Sequence, residues 1–245
     1  MGLLSWPARQ VGQELMDGCE PAEARRTLRD LVRINRYFGG HRAIRQVMKR
    51  AGCKNEAFSL LDVGAASGDS SGAIRELFPK ARVVSLDRSA VNLAGAAAPK
   101  LVADAFALPF AAKSFDYVFC SLFLHHFADD EVVDLLREFG RVAKRAVLIL
   151  DLERHFAPYW FLHLSRPLLG WHWMTVHDGR LSVRASFTAK ELKRLVSTAG
   201  LDSSGVRTHR PAFRLSVIGR VRGGGFLAPA PMLRCSAQLL TNDPA

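Results

Sequence analysis

Hydrophobic positions between Arg25 and Lys54 recur at helical spacing, with Leu28, Leu31 and Val32 in one run, Ile44, Val47 and Met48 in another, and arginines and lysines between them. Gly39-Gly40 interrupts the repeat, so the pattern predicts two amphipathic helices joined at a break. From Ala57 the pattern changes. Short apolar or β-branched runs at 58–63, 82–86, 101–103, 115–120 and 146–150 alternate with helical stretches at 70–77, 89–97 and 130–142, the order expected of a parallel sheet with helical crossovers. In the last stretch Val132, Leu135, Leu136 and Phe139 share a face, and Asp129 and Asp130 sit at the N-terminal end that the helix dipole makes favourable for acids. Beyond Asp151 an aromatic-rich segment to Phe187 reads as irregular. Thr188 and Glu191 then give a capping-box signature for a helix over 188–199 closed by Gly200, and strand-like runs follow near 201–208 and 213–219. Residues 221–245, with Gly223-Gly224-Gly225, three prolines and little periodicity, read as a flexible tail.

The 245 residues are 49% hydrophobic and 23% charged, ordinary proportions for one globular domain with extensions. Arg9 and Glu14 break the apolar stretch that a signal peptide needs, and no run approaches the roughly 18 to 20 apolar residues that span a bilayer, so a soluble cytoplasmic protein is expected. Cys19, Cys53, Cys120 and Cys235 stand singly, without zinc-site spacing, and read as reduced thiols; no metal is expected. The net charge of +11 would suit a polyanionic partner, but it is unevenly distributed. Residues 1–58 hold 11 basic against six acidic side chains, residues 59–206 hold 17 against 16, and residues 207–245 hold six against one. A nucleic-acid partner is therefore disfavoured near the motifs, whereas the basic N-terminal helices offer a peripheral membrane contact. The oligomeric state is not legible.

The most informative stretch is Phe58 to Ile74, FSLLDVGAASGDSSGAI, an apolar strand running into a Gly-rich turn that opens a helix. Asp87 follows Gly68 by 19 residues, directly after the run RVVSL, where a carboxylate can accept both hydrogen bonds of a ribose diol. A third landmark is ADAFALPF from Ala103, followed by SFDYVFCS from Ser114.

In that order and spacing, LDVGAASG, SLD, ADAFALPF and SFDYVFCSLFLHHF resemble the class I S-adenosylmethionine-dependent methyltransferase superfamily, in its small-molecule branch of quinone, sugar and polyketide enzymes. The resemblance covers residues 57–151 closely and 184–219 more loosely. It implies an α/β fold with a Rossmann-like, seven-stranded, mostly parallel sheet, helices on both faces and an N-terminal helical extension. The domains would be that extension at 1–56, a methyltransferase domain at 57–220 with an acceptor-side insertion at 152–187, and the tail at 221–245. It implies that Gly64, Ala65, Ala66, Ser67 and Gly68 line the methionine part of S-adenosylmethionine, with Asp62 helping to hold the amino group through the loop. Asp87 would bind the ribose with Arg88 beside it, Asp104 would accept from the adenine amine with Ala105 and Phe106 alongside, and Ser121 would border the cofactor amine. Ala66 stands where a glycine is usual, which should be tolerated if its φ is negative.

His125 and His126, after the fourth strand, and Asp151, after the fifth, belong at the edge of the sheet where ligands bind in open α/β folds. In related small-molecule enzymes a histidine of such a segment pairs with an acid to deprotonate a hydroxyl, so one of the two is expected to be the base and Asp151 its support. Tyr159, Trp160, Trp171, Trp173 and His177 are the expected acceptor pocket, because the insertion concentrates aromatic residues of the kind that bury a planar or apolar small molecule. Rival readings are an RNA or other macromolecule methyltransferase and a cofactor-binding scaffold without chemistry.

Overall fold

The computed structural model describes residues 7–53, 56–221 and 238–240. Strands β1 (Ser59–Val63), β2 (Arg82–Asp87), β3 (Lys100–Val102), β4 (Phe115–Ser121) and β5 (Ala143–Leu152) pair in parallel in the order β3-β2-β1-β4-β5. Three further strands lie beyond β5: β8 (Arg214–Arg220) runs antiparallel to it, and β6 (Asp202–Ser203) and β7 (Arg207–His209) both pair with β8. Where one run was expected near 201–208 there are two short strands.

Alternation along the strands sends their side chains into two separate layers. Leu60, Tyr117, Phe119 and Leu148 meet Ile44, Val47 and Met48 of α2 (Gly40–Arg50) and Ile74 of α3 (Asp69–Leu77). Leu61, Val118, Val147 and Ile149 meet Leu135, Leu136 and Phe139 of α5 (Asp129–Val142) and Leu192 and Val196 of α8 (Ala189–Thr198). Helices thus cover both faces, and the capping box of Thr188 and Glu191 opens α8 as its sequence requires. The strand order reverses between β1 and β4, which places the ligand crevice of this architecture at their C-terminal ends.

Helix α1 (Pro21–Tyr37), the first of the two N-terminal helices, does not lie on the sheet with α2. It joins α6 (Phe156–Leu169) and α7 (Trp173–Ala185) in a cap, where Leu162, Trp171 and Val176 pack with Ile34, Phe38, Phe161 and Leu169. The expectation of an irregular segment after Asp151 is corrected by these two helices. Aromatic residues, Pro158 and Pro167 weaken helix propensity locally, but burial against α1 and α7 overrides it. A helix apolar on two opposite faces also lacks the one-sided period by which a helix is recognised.

Two further expectations change. The helix over 89–97 contracts to α4 (Ala90–Leu93), and the buried Lys100 ammonium donates to the carbonyls of Leu93, Ala94 and Ala96 just after it at 3.1–3.2 Å. The tail lies outside the described residues except for Val221 and the backbone of β9 (Gln238–Leu240), which pairs antiparallel with β3. A three-residue strand has too little periodicity to be read from sequence, yet it covers the open edge of β3. Cys235 is also outside the described residues.

Lys100→Met should keep the apolar stem but leave three carbonyls short of a donor. It is expected to cost about 2–4 kcal/mol, read as a lower urea midpoint at unchanged slope. An unchanged midpoint would show that the ammonium does not hold this turn.

Candidate functional site

A cavity of about 1090 Å³ opens at the C-terminal ends of β1, β2 and β4 and is roofed by the cap. The loop after β1 forms one wall. Gly64 has φ +70°, and a Cβ there would lie 2.2 Å from the Phe123 ring, so the residue must be glycine for Phe123 to close over the loop. Gly68, φ +76°, packs against Ala96 behind the loop and does not face the cavity. Ala66 departs from expectation: its φ is +44°, not negative, a conformation that costs a residue with a Cβ roughly 1–2 kcal/mol. Its N–H donates to Asp87 Oδ2 at 2.9 Å, which holds the backbone there and ties the first loop to the second.

Asp87 also accepts from Ser89 N–H through Oδ1, and burial pushes its carboxyl above the ordinary range against the opposing effect of these hydrogen bonds. Asp62 is more deeply set. It accepts from Ser71 Oγ at 2.5 Å behind the loop and does not line the cavity, and burial pushes its pKa up to about 7. Ala65, Ser67, Asp87, Arg88, Ala105, Phe106 and Ser121 all face the cavity, as does Asp104, which accepts from Phe106 N–H through Oδ1.

On the opposite side, Leu122 at φ +54° turns the chain out of β4 and leads to a 3-10 turn at Leu124–His126. Asp151, 1% exposed, receives this turn: Oδ2 accepts from Leu124 N–H at 2.9 Å, and Oδ1 lies 2.6 Å from His125 Nδ1 and 2.7 Å from Leu152 N. His125 is buried, and its Nε2 faces Glu14 Oε1 at 3.8 Å. Burial disfavours the charged ring, but Asp151 and Glu14 outweigh it and push its pKa up to about 9. Burial likewise opposes ionisation of Asp151 and Glu14, yet His125 holds both below the usual carboxylate range. His126 also lines the cavity, its ring stacked on His125 at 4.4 Å. Geometry therefore distinguishes the two histidines, which the sequence does not.

Glu14 was not legible as a site residue. It arrives from an N-terminal strap anchored by Arg9, which donates to the carbonyls of Ala185, His125 and Phe127 and pairs with Asp129. Asp178 accepts from Leu15 and Met16 N–H, and Ser182 Oγ donates to Glu14. No local motif signals this meeting of residues more than 100 positions apart. Glu14, His125 and His126 bring possible ligand atoms within 4.8 Å of one another, a proximity that spacing along the sequence could not show. Arg214, buried beside this region with its pKa lowered to about 10 by burial against the pull of Asp151, is a second wall residue that sequence reasoning missed.

The expected acceptor aromatics lie elsewhere. Trp171 is buried in the cap, with Nε1 donating to Ser165 Oγ, Tyr159 accepts from Arg180, Trp160 and Trp173 are about half exposed, and His177 sits at the surface beside Asp178. None of the five lines the cavity; α6 and α7 present Ala157, Pro158, Phe161, Leu162 and Thr175 instead. The segment that composition singled out does border the cavity, but through neighbours of the expected aromatic residues.

His125 has a folded pKa above its ordinary value, so its contribution to stability is full below about pH 6.5 and is lost as pH rises through about 9. The melting temperature should fall over that window, and His125→Gln should flatten the fall. An identical alkaline profile in the variant would contradict the buried imidazolium.

Residues 61–150 match the family model described as Methyltransferase domain. A malonyl-[acyl-carrier protein] O-methyltransferase 1 of Coxiella burnetii (strain RSA 493 / Nine Mile phase I) is 31% identical over 121 residues, and the match covers 42% of each chain. The chain thus aligns with less than half of that relative's length. A SAM-dependent methyltransferase structure from Aquifex aeolicus superposes with TM-score 0.59 at 16% identity, over 83% of this chain and all of that one. Magnesium protoporphyrin IX methyltransferase from Synechocystis PCC 6803 with bound SAH superposes with TM-score 0.54 at 13% identity, over 75% of this chain and 84% of that one. The methyltransferase-domain match lies on β1 to β5, and the mostly parallel sheet with helices on both faces is the Rossmann-like fold that these S-adenosylmethionine-dependent methyltransferase structures share.

Proposed function

We propose that the protein methylates a hydroxyl oxygen of a small, largely apolar acceptor, with His125 as general base and Asp151 as its positioning partner. The observation that carries this reading is the buried 2.6 Å pair of His125 Nδ1 and Asp151 Oδ1 at the wall of a cavity whose lining includes Leu28, Leu31, Phe161, Leu162 and Phe213. A cap closed by three helices suits a small acceptor better than an RNA or a folded protein. The Coxiella relative is named as an O-methyltransferase.

The donor chemistry of the opposite wall fits the cofactor. Asp87 offers carboxylate oxygens to a ribose diol, Asp104 can accept from an adenine amine between Ala105 and Phe106, and Gly64, Ala65, Ala66 and Ser67 with Ser121 would flank the methionine end. Asp62 and Gly68 act from behind, by fixing the loop. S-adenosylmethionine supplies an electrophilic methyl group on a cationic sulfur, and that charge favours neutral imidazole nearby. His125 Nε2 then takes the acceptor proton, while Asp151 holds Nδ1–H and stabilises the resulting imidazolium. Leu124 and Leu152 N–H keep Asp151 ionised for that task.

Asp87→Ala should weaken S-adenosylmethionine binding about tenfold or more, since hydrogen bonds to charged groups contribute roughly 1.5–3 kcal/mol. Calorimetry showing undiminished affinity would displace Asp87 from the cofactor site. His125→Ala should lower turnover by about 10² to 10⁴ with cofactor affinity intact, and His126→Ala should matter much less. In the wild type, kcat/KM should rise with pH towards about 9, and Glu14→Gln should move that rise to lower pH by removing one carboxylate from His125 Nε2. Wild-type turnover in His125→Ala on a confirmed hydroxyl acceptor would rule out the base assignment.

A further inference from the structure

Of the nine large apolar side chains most exposed among the described residues, five cluster on α6 and the start of α7: Phe156, Trp160, Leu164, Leu168 and Trp173, with Leu164 72% and Leu168 87% exposed. The first four recur every fourth residue, so they form one stripe about 18 Å long on the outer face of α6. A groove on this face is lined by Phe156, Ala157, Trp160, Phe161, Leu164 and Ser165. The inner side of the same helix walls the main cavity, and Ala157 and Phe161 border both spaces. Contiguous exposed apolar surface of this kind marks a contact, not an ordinary solvated helix.

The charge around the stripe has one sign. No acidic residue lies between Arg154 and His177, while Arg166 is exposed near the end of α6. Arg180 stacks on Tyr159 at 4.5 Å and on Trp160 at 5.3 Å. Arg33 of α1 donates to Leu169 O and stacks on Trp171 at 4.7 Å, which brings the arginine face of α1 to the end of the stripe. Arg25, Arg26, Arg29, Arg33 and Arg36 are all exposed on that helix, whose acid Glu23 is occupied by Arg26 and His172 and whose Asp30 is buried.

An apolar face carrying Trp, Phe and Leu, bordered by arginines, is the pattern of a helix that lies in the interface of a bilayer. We propose that the outer face of α6, the start of α7 and the arginine face of α1 dock the protein on an anionic lipid surface. Attraction of the arginines to lipid phosphates would orient the molecule, and the stripe would enter the headgroup boundary. Because no helix among the described residues is long and apolar enough to cross a membrane, the contact is peripheral. It is also adjacent to the site. The helix in contact with lipid is the one whose inner side forms the apolar cavity wall, so an acceptor dissolved in the bilayer would meet the protein where the cap can admit it. That last consequence rests on the apolar-acceptor reading above; the docking itself does not.

The test is flotation of the full chain with vesicles of phosphatidylcholine alone and of phosphatidylcholine with 30% phosphatidylglycerol, alongside sedimentation velocity without lipid. The expected result is partition onto the anionic vesicles that weakens with salt, at least tenfold loss in Leu164→Glu/Leu168→Glu, and a comparable loss in Arg29→Glu/Arg33→Glu. Neither pair lines the cavity, so S-adenosylmethionine affinity should be unchanged in both variants and reports that they are folded. Failure of the wild type to float with anionic vesicles would overturn the proposal. So would a stable dimer that Leu164→Glu/Leu168→Glu dissociates, because the stripe would then be covered by a second copy. Intact cofactor binding with absent flotation separates failure of the docking from failure of the methyltransferase reading.

Discussion

A carboxylate buried to 1% exposure must have its charge compensated, and the site side of this protein is arranged around that requirement at Asp151. Two backbone N–H groups, from Leu124 and Leu152, and the imidazole of His125 supply the compensation. The same bonds turn the chain after β4, hold the Leu124–His126 turn against β5 and orient the histidine ring. Structure and chemistry therefore share one group: removing the charge would free both the turn and the ring. Glu14 adds a second negative charge from the strap, so that in the absence of acceptor the imidazole is held between carboxylates.

The opposite wall of the cavity is governed by a different constraint, close approach of backbone. Asp87 binds Ala66 and Ser89 N–H, Phe123 covers Gly64, and Ala96 packs on Gly68, so loops after β1, β2 and β4 are fixed against one another. The positive φ of Ala66 shows that these contacts are strong enough to hold an unfavourable conformation.

The parallel core was legible because its signals are local: apolar runs alternating with amphipathic helices, and acids at the ends of the strands. A pairing of Asp151 with one of His125 and His126 was expected from the resemblance and from their places near the ends of adjacent strands, but which histidine makes it was not legible. What sequence did not reveal depends on distant parts of the chain meeting. Glu14 reaches the site only because Arg9 and Asp178 anchor the strap, Lys100 ends α4 from the next strand, and α6 hides its helical period by being apolar on two sides. Tyr159, Trp160, Trp171, Trp173 and His177 lie in a segment that borders the cavity, but on other faces of it. A residue's type is visible in sequence, whereas its direction in an unrecognised helix is not.

Direct observation of the His125 ring is the sharpest test of this account. Nitrogen-resolved NMR of histidine-labelled protein, titrated from pH 5 to 10 without acceptor, should show one buried imidazole bonded through Nδ1–H and titrating near pH 9. Its midpoint should drop markedly in Asp151→Asn. A His125 midpoint near the ordinary 6.5 that is indifferent to Asp151→Asn would contradict the buried ion pair on which the site is built.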